Sequence, residues 1–334
     1  MKHIGATSVR LIAAALAAML LLPVAALTAC TGGKETVLIY SSAEDYRIAD
    51  MQARLDEAFP EYDVRIEYMS TGNSAAKLLA EGTSTDADII HDMEYGYLYR
   101  MEEQMILAPL SSYNTSLYAK DAIVSGHYMP VYRNGGAVII NTERLSALGL
   151  PEPTCFEDLL KAEYKGLISM PDPKASGTGY MFLKALVNAW GEERALDYFD
   201  KLSENILQFT SSGSGPVNAL VNNEVAIGLG MTFQAVTKIN EGRPLKIVYF
   251  EEGSPYCLYG QAVVAGKEER ACVKEVFDFL VNTYTKENND KFCPEQIFAS
   301  GAATVEGYPT DIRYSDMSGN TFEEKERLLA KWNH

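Results

Sequence analysis

With 334 residues, a formal net charge of −16, 47% apolar and 22% charged residues, the chain has the make-up of a globular protein with room for two lobes of ordinary domain size. Its acidity denies it the broad cationic surface that phosphate backbones require, which excludes nucleic acid as a partner. It does not exclude a small anion, because one cleft can differ in sign from the whole.

The first element precedes the fold. Lys2, His3 and Arg10 make a basic start, residues 11–27 are nearly all Ala, Leu, Ile, Met and Val, and Leu27-Thr28-Ala29-Cys30 follows. A basic start, a short apolar run and small residues before a cysteine read as a secretory signal over 1–29, not as a spanning helix. Losing Lys2 and Arg10 takes the remaining chain to −18. Residues 30–36 read as a polar tether. No second long apolar run follows.

Val37-Leu38-Ile39-Tyr40 reads as a buried strand. Ser42 is expected to cap the next helix, with Asp45 three residues on. Ile48, Met51 and Leu55 recur at helical spacing until Pro60. Residues 64–68 alternate as a strand. Ser70-Thr71-Gly72 then turns into a helix that stops at Gly82, and 87–90 is the next strand. After the middle of the chain the alternation resumes. Strands are expected at 167–170, 206–209, 225–229, 246–250 and 261–265. Helices are expected at 180–190, 195–202, from Pro216, at 269–282 and from Phe322. Strand-helix alternation predicts an α/β fold with a mostly parallel sheet.

Four turns share one design of strand, Ser/Thr/Gly turn and helix start: Ser41-Ser42, Ser70-Thr71-Gly72, Ser176-Gly177-Thr178-Gly179 and Ser211-Ser212-Gly213-Ser214. In open α/β sheets ligands bind outside the carboxyl ends of the strands. Each turn there offers N–H groups, hydroxyls and the positive end of a helix dipole. One such end contributes only about 0.3–1 kcal/mol to an exposed anion, but several around a desolvated oxyanion make a site. Two glycines within 176–179 suggest that something approaches that backbone. Of the five cysteines, Cys155, Cys257, Cys272 and Cys293 match no zinc or CxxC spacing. The sequence leaves disulfides and buried thiols open.

The 37–42 strand and turn, Ser70-Thr71-Gly72, Pro171-Asp172-Pro173-Lys174-Ala175-Ser176-Gly177-Thr178, Asn222-Asn223-Glu224-Val225-Ala226-Ile227-Gly228 and Gly136-Ala137-Val138-Ile139-Ile140-Asn141-Thr142 together resemble the extracellular solute-binding proteins of ABC importers. The nearest branch is that of the ferric-iron, thiamine, sugar-phosphate and aminoethylphosphonate binders. The resemblance implies a two-lobed type II periplasmic-binding-protein-like fold with the ligand cleft between lobes. Lobe 1 would take 37–136 plus 256–284, and lobe 2 would take 137–255 plus 285–334. It also implies lipid on Cys30, attachment outside the cytoplasmic membrane, a monomer, delivery to the permease transmembrane subunits, no cofactor and no catalysis.

Iron-binding relatives place a tyrosine pair after the strand matching 225–229. Here that stretch reads Gly230-Met231-Thr232-Phe233-Gln234, and Thr and Phe cannot replace phenolate. His91, Asp92 and Glu94 are candidate metal ligands without a second cluster. Phe233 and Gln234 suit an organic ligand as wall and handle, joined by Thr232. Tyr46, Tyr180 and Tyr256 are further wall candidates. Glu44, Asp45 or Glu94 would meet a ligand amine, and Lys174 a phosphate. The favoured cargo is a phosphate ester or phosphonate. Ferric iron comes second, thiamine or its phosphates third, and an extracytoplasmic phosphoester hydrolase is the alternative of a different class. Thr178→Ala is expected to weaken anion binding and leave the fold nearly intact.

Overall fold

The structure is a computed structural model that describes residues 33–334 apart from 112, 121, 296 and 301–304. The expected signal, Cys30 and the start of the tether lie outside the described residues. The chain divides into Met1–Glu35 and Thr36–His334, and every element named here lies in the second unit.

The first stretch alternates β1 (Thr36–Ser41), α1 (Asp45–Ala58), β2 (Asp63–Tyr68), α2 (Thr71–Glu81), β3 (Ile89–Glu94) and α3 (Tyr95–Glu103). After the long β4 (Met129–Asn141) come α4 (Thr142–Leu148), β5 (Ile168–Pro171), α5 (Gly177–Trp190), α6 (Glu192–Ser203), β6 (Ile206–Thr210) and α7 (Gly215–Val221). Then follow β7 (Ile227–Met231), α8 (Thr232–Asn240), β8 (Leu245–Val248), β9 (Tyr256–Val263), α9 (Ala271–Phe279), α10 (Thr285–Lys291) and α11 (Phe322–Lys331).

The strands lie in the order β2-β1-β3-β9-β4-β7-β5-β6, with β8 also on β4. The expected mostly parallel sheet is corrected to a mixed one. β1 pairs β2 and β3 in parallel, and β5 pairs β6 and β7 in parallel. β4 and β9 run against every neighbour they have. Strand-helix alternation reports the parallel units and is blind to two strands inserted antiparallel between them. β4 belongs to both halves of the sheet. Its residues from Met129 to Gly135 pair with β9, and those from Gly136 onward with β7 and β8. Each half has its own apolar core. One is built on Val37, Ile39, Met51, Leu55 and Phe277. The other is built on Tyr164, Phe182, Leu183 and Phe199. Each such burial contributes about 1.5–3 kcal/mol.

Several elements differ locally from expectation. β3 starts at Ile89 and β7 at Ile227, two residues later than their apolar runs suggest. The helix expected over 269–282 passes through a π turn at Leu280–Tyr284 into α10, which the pattern missed because its own face is polar. α10 packs on the first half of the molecule, where Asn289 Nδ2 donates to Val131 O at 2.6 Å. Ser42 does not cap α1. Glu44 holds the N-cap position without a side-chain cap bond. Cys155, Cys257 and Cys293 are free thiols. No helix among the described residues is long and apolar enough to cross a membrane.

Candidate functional site

The parallel registers set the turns side by side. Ser41, at the end of β1, lies level with Tyr68 and His91, and Pro171, at the end of β5, lies level with Thr210. In the first half, Ser41 Oγ is 3.1 Å from His91 Nδ1. Ser42 Oγ donates to Asp92 O, and Thr71 Oγ1 donates to Ser42 Oγ at 3.0 Å. The two halves meet backbone to backbone, where Gly72 N donates to Ala175 O at 3.2 Å. A Cβ on Gly72 would lie 2.6 Å from Lys174 O, and one on Gly177 would lie 2.4 Å from the Tyr259 hydroxyl of β9.

Across to the second half, Asn134 Nδ2 of β4 donates to Thr178 Oγ1 at 3.0 Å. Gly213 approaches the same hydroxyl so closely that a Cβ would lie 2.4 Å from it. Ser212 and Ser214 share a 2.9 Å hydrogen bond. Gln234 Nε2 donates to Ser214 O at 3.3 Å and to Asn218 Oδ1 at 3.1 Å. Its buried Oε1 has no partner among the described residues. Thr232 Oγ1 and the Tyr249 hydroxyl are 3.3 Å apart. Gly179 has a packing reason, since a Cβ there would lie 2.4 Å from Pro171 O. What approaches the glycines of this turn is the protein itself.

The hydroxyls are not spent as helix caps. Ser70, Ser176 and Ser214 stand at N-cap positions and none makes a side-chain cap bond. Ser70 Oγ is buried and without a partner among the described residues, a state that costs about 1–3 kcal/mol unless something completes it.

Other expected residues go elsewhere. Tyr256 packs edge-on to Tyr314, under the Arg133 guanidinium. Ser211 and Asp45 are exposed. Tyr46 sits edge-on to Phe292. Lys174 Nζ donates to Trp332 O at 2.7 Å, and Glu94 pairs with Lys325. The candidate metal ligands His91, Asp92 and Glu94 thus turn to three different partners. Among the described residues no group of three or more His, Cys, Asp or Glu is placed to hold a metal ion.

The charged centre was missed. Arg47 of α1 is 1% exposed. Its Nη1 lies 3.0 Å from Glu44 Oε2 and 2.9 Å from Asp92 Oδ2, and its Nε donates to Asn288 Oδ1 at 3.0 Å. The guanidinium lies 4.4 Å from the Tyr132 ring centre and 5.4 Å from that of Phe233. Tyr132 stacks on Tyr259 at 5.3 Å, meets Phe233 edge-on at 5.5 Å and donates to Asp92 Oδ1 at 3.3 Å. Asp92 sits at φ +59°, where β3 breaks register against β9. Asp tolerates that conformation better than most residues, and such breaks recur beside functional sites. Burial pushes the Glu44 and Asp92 carboxyls up, while Arg47 pulls them down. Arg47 Nη2 is buried without a partner among the described residues. A spacing signal for Arg47 existed: Arg47, Met51 and Leu55 recur every four residues on the buried face of α1, which put an arginine inside an apolar stripe.

His91 supplies a test of this burial. Desolvation first, and the Arg47 charge second, lower its pKa from 6.5 to about 3. Above pH 6.5 the ring is neutral folded or unfolded. Below it, the unfolded chain takes up a proton that the fold refuses, so stability falls between pH 6.5 and about 3, by up to about 5 kcal/mol. Glu44 and Asp92, with raised values, act in the opposite direction and favour the fold as pH falls. Urea unfolding at pH 7, 5 and 4 should therefore show the acid loss in the parent and a flatter profile in His91→Asn. Equal losses in both would place the acid sensitivity outside His91.

A family model described as bacterial extracellular solute-binding protein matches residues 84–304. A Haemophilus influenzae protein described only as uncharacterized is 27% identical over 328 residues, covering 92% of each chain. The solved periplasmic binding protein P5PA superposes with a TM-score of 0.78 at 22% identity, covering 90% of this chain and 98% of that one. The solved periplasmic binding protein AfuA from Actinobacillus pleuropneumoniae, with exogenous fructose-6-phosphate bound, superposes with a TM-score of 0.77 at 26% identity and the same coverage.

Proposed function

The chain belongs to the bacterial extracellular solute-binding proteins, and we propose that it is the capture subunit of an ABC importer for a small organic phosphate or phosphonate. One observation carries this reading: serine hydroxyls at strand ends on both sides of one seam are not used as caps, and Ser70 Oγ is buried without a partner among the described residues. Hydroxyls and helix starts around a water-poor seam suit a tetrahedral oxyanion. The likeness to a protein with fructose-6-phosphate bound agrees with a phosphorylated cargo that also carries hydroxyls or an amine. Glu44, Asp92 and Gln234 Oε1 are acceptors for those groups.

In this reading Ser41, Ser42, Ser70, Thr71 and Gly72 act from lobe 1. Ser176, Gly177, Thr178, Gly179, Ser212, Ser214, Phe233 and Gln234 act from lobe 2. The lobes exchange at Gly135-Gly136 on β4. The protein captures by closing and hands its cargo to permease subunits. It acts as a monomer held to the membrane by lipid on Cys30, and it performs no turnover. Phe233, wholly buried against Tyr132, and Thr232, bonded to Tyr249, fill the place where iron binders carry phenolates.

A thermal-shift screen of hexose phosphates, aminoalkylphosphonates, inorganic phosphate, thiamine and its phosphates, and ferric citrate tests the cargo. A ligand at 100 times its Kd adds about 2.7 kcal/mol, several degrees of melting temperature. Stabilisation by ferric citrate or by unphosphorylated thiamine alone would overturn the reading. Ser70→Ala is the cleaner site test. It removes a hydroxyl that has no partner among the described residues, so affinity should fall about tenfold while the free melting temperature holds or rises. Thr178→Ala should weaken binding as well, and because it removes the acceptor of Asn134 Nδ2 its melting temperature tests the expectation of a nearly intact fold. Calorimetric titration of each variant reads the difference.

A further inference from the structure

We propose that Lys325 is a positioning residue for capture, whose ammonium is gripped by Glu94 and Tyr97 of one lobe and Tyr180 of the other when the cleft closes. The inference rests on closure of the two lobes and not on which cargo fills them.

α11 is anchored to lobe 2 along most of its length. Glu324 lies 3.5 Å from Lys184, Arg327 lies 2.6 Å from Glu192, and Lys331 also pairs with Glu192. Trp332 packs edge-on to Phe199 and Phe209 at 5.4 and 5.6 Å. Two residues near its start reach the other way. Phe322 meets Tyr97 edge-on at 6.2 Å and lies under the Arg100 guanidinium. Lys325 pairs with Glu94, and its Nζ lies 3.8 Å from the Tyr97 ring centre and 4.8 Å from that of Tyr180. Both charged side chains are almost fully buried, at 2% and 3% exposure.

Glu94 is no bystander to the seam. Its other oxygen accepts from Gly96 N at 3.0 Å and caps α3. Its Cβ would lie 3.5 Å from a Cβ on Gly177, in the turn that starts α5. The ion pair and the expected cargo turn thus share one contact surface.

A buried ammonium needs its carboxylate, because desolvating a lone charge costs several kcal/mol. The aromatic faces add attraction that grows as water is excluded. When the lobes part, Tyr180 stays with α11, whereas Glu94 and Tyr97 leave with lobe 1. Water then takes over both charges. The cage is therefore worth something only in the closed arrangement, and it shifts the equilibrium between open and closed. As with Arg47, a spacing signal existed: Phe322, Lys325 and Leu328 recur every three residues on the buried face of α11, which put a lysine inside an apolar stripe.

Small-angle scattering of the full mature chain without solute decides the matter. Lys325→Met and Glu94→Gln should each raise the radius of gyration by about 1 Å, toward an open form. The double variant, which leaves no lone buried charge, should recover part of that shift. Solute-free melting temperatures should fall by no more than the stability that closure itself supplies, since the open form does not use the pair. Unchanged scattering curves, or a melting loss with no change in shape, would make the pair a structural contact and overturn the proposal. Should either single variant fail to fold, the double variant still decides it: a curve like the parent's overturns the proposal. Titrating fructose 6-phosphate into the parent in parallel separates the cargo from the closure. No binding there would count against the phosphorylated cargo and leave the scattering result standing.

Discussion

Gly72→Ala should leave the protein folded and remove its affinity for solute. The added methyl would sit 2.6 Å from Lys174 O and 3.1 Å from Ala175 O. Both atoms are backbone of the opposite lobe, so no rotamer change relieves the clash. The lobes must stay apart, and the 3.2 Å hydrogen bond from Gly72 N to Ala175 O cannot form. Gly72 is the second residue of α2, where alanine is the better helix former by up to about 1 kcal/mol. The open protein should therefore melt no lower than the parent. Loss of closure removes half of the expected contacts, and a loss of at least about 100-fold in affinity is the expected outcome. Calorimetric titration with fructose 6-phosphate beside a solute-free melt reads both quantities. Undiminished affinity would mean that capture does not need this seam.

Arg47→Met carries the largest expected cost in stability. It leaves Glu44 and Asp92 buried side by side without their guanidinium. Removing one partner from a buried charge cluster costs about 3–5 kcal/mol. The cost should depend on pH with a definite sign. Burial already pushes both carboxyls above their ordinary values, and without Arg47 they rise further. They then protonate as pH falls, which relieves the repulsion. The variant should be most destabilised relative to the parent at pH 7 and less so at pH 5. Adding Glu44→Gln and Asp92→Asn should restore much of the fold at pH 7. Guanidinium unfolding of the parent, the single variant and the triple variant at both pH values checks this. A penalty of the same size at pH 5 and pH 7 would show that the loss comes from packing over Tyr132 and Phe233 instead.

The sequence was most legible where one signal acts locally. The four turns were placed because Ser, Thr and Gly between an apolar run and a helical pattern have a short-range cause. The structure sets them at the carboxyl ends of β1, β2, β5 and β6. What stayed hidden depends on partners far away in the chain. Arg47 meets Asp92 and Asn288, and no pattern within α1 names either. Ser42 reads as a cap because it precedes a helix, yet its hydroxyl turns to the carbonyl of Asp92 on a neighbouring strand. Tyr132, Asn134 and Tyr259 lie on β4 and β9, strands whose apolar character signals burial and nothing more. Two of the expected wall residues, Tyr256 and Tyr180, are equally aromatic and pack elsewhere, since ring chemistry alone does not say which way a strand or helix faces.

The placement of β9 also orders the birth of the molecule. Ile89 on β3 pairs with Val263 on β9, and β9 pairs in turn with the first part of β4. As the chain is synthesised, β5, β6 and β7 are all complete before residue 256 appears. The second lobe can then settle around contacts it already owns, while β3 waits with a bare edge, the kind of edge that recruits stray strands. The late strand has to close a loop of more than a hundred residues, a slow class of folding event. A nascent chain that stalls just short of β9 is therefore half a protein with its adhesive side exposed, and the interval between residues 94 and 256 is when a chaperone has the most to protect.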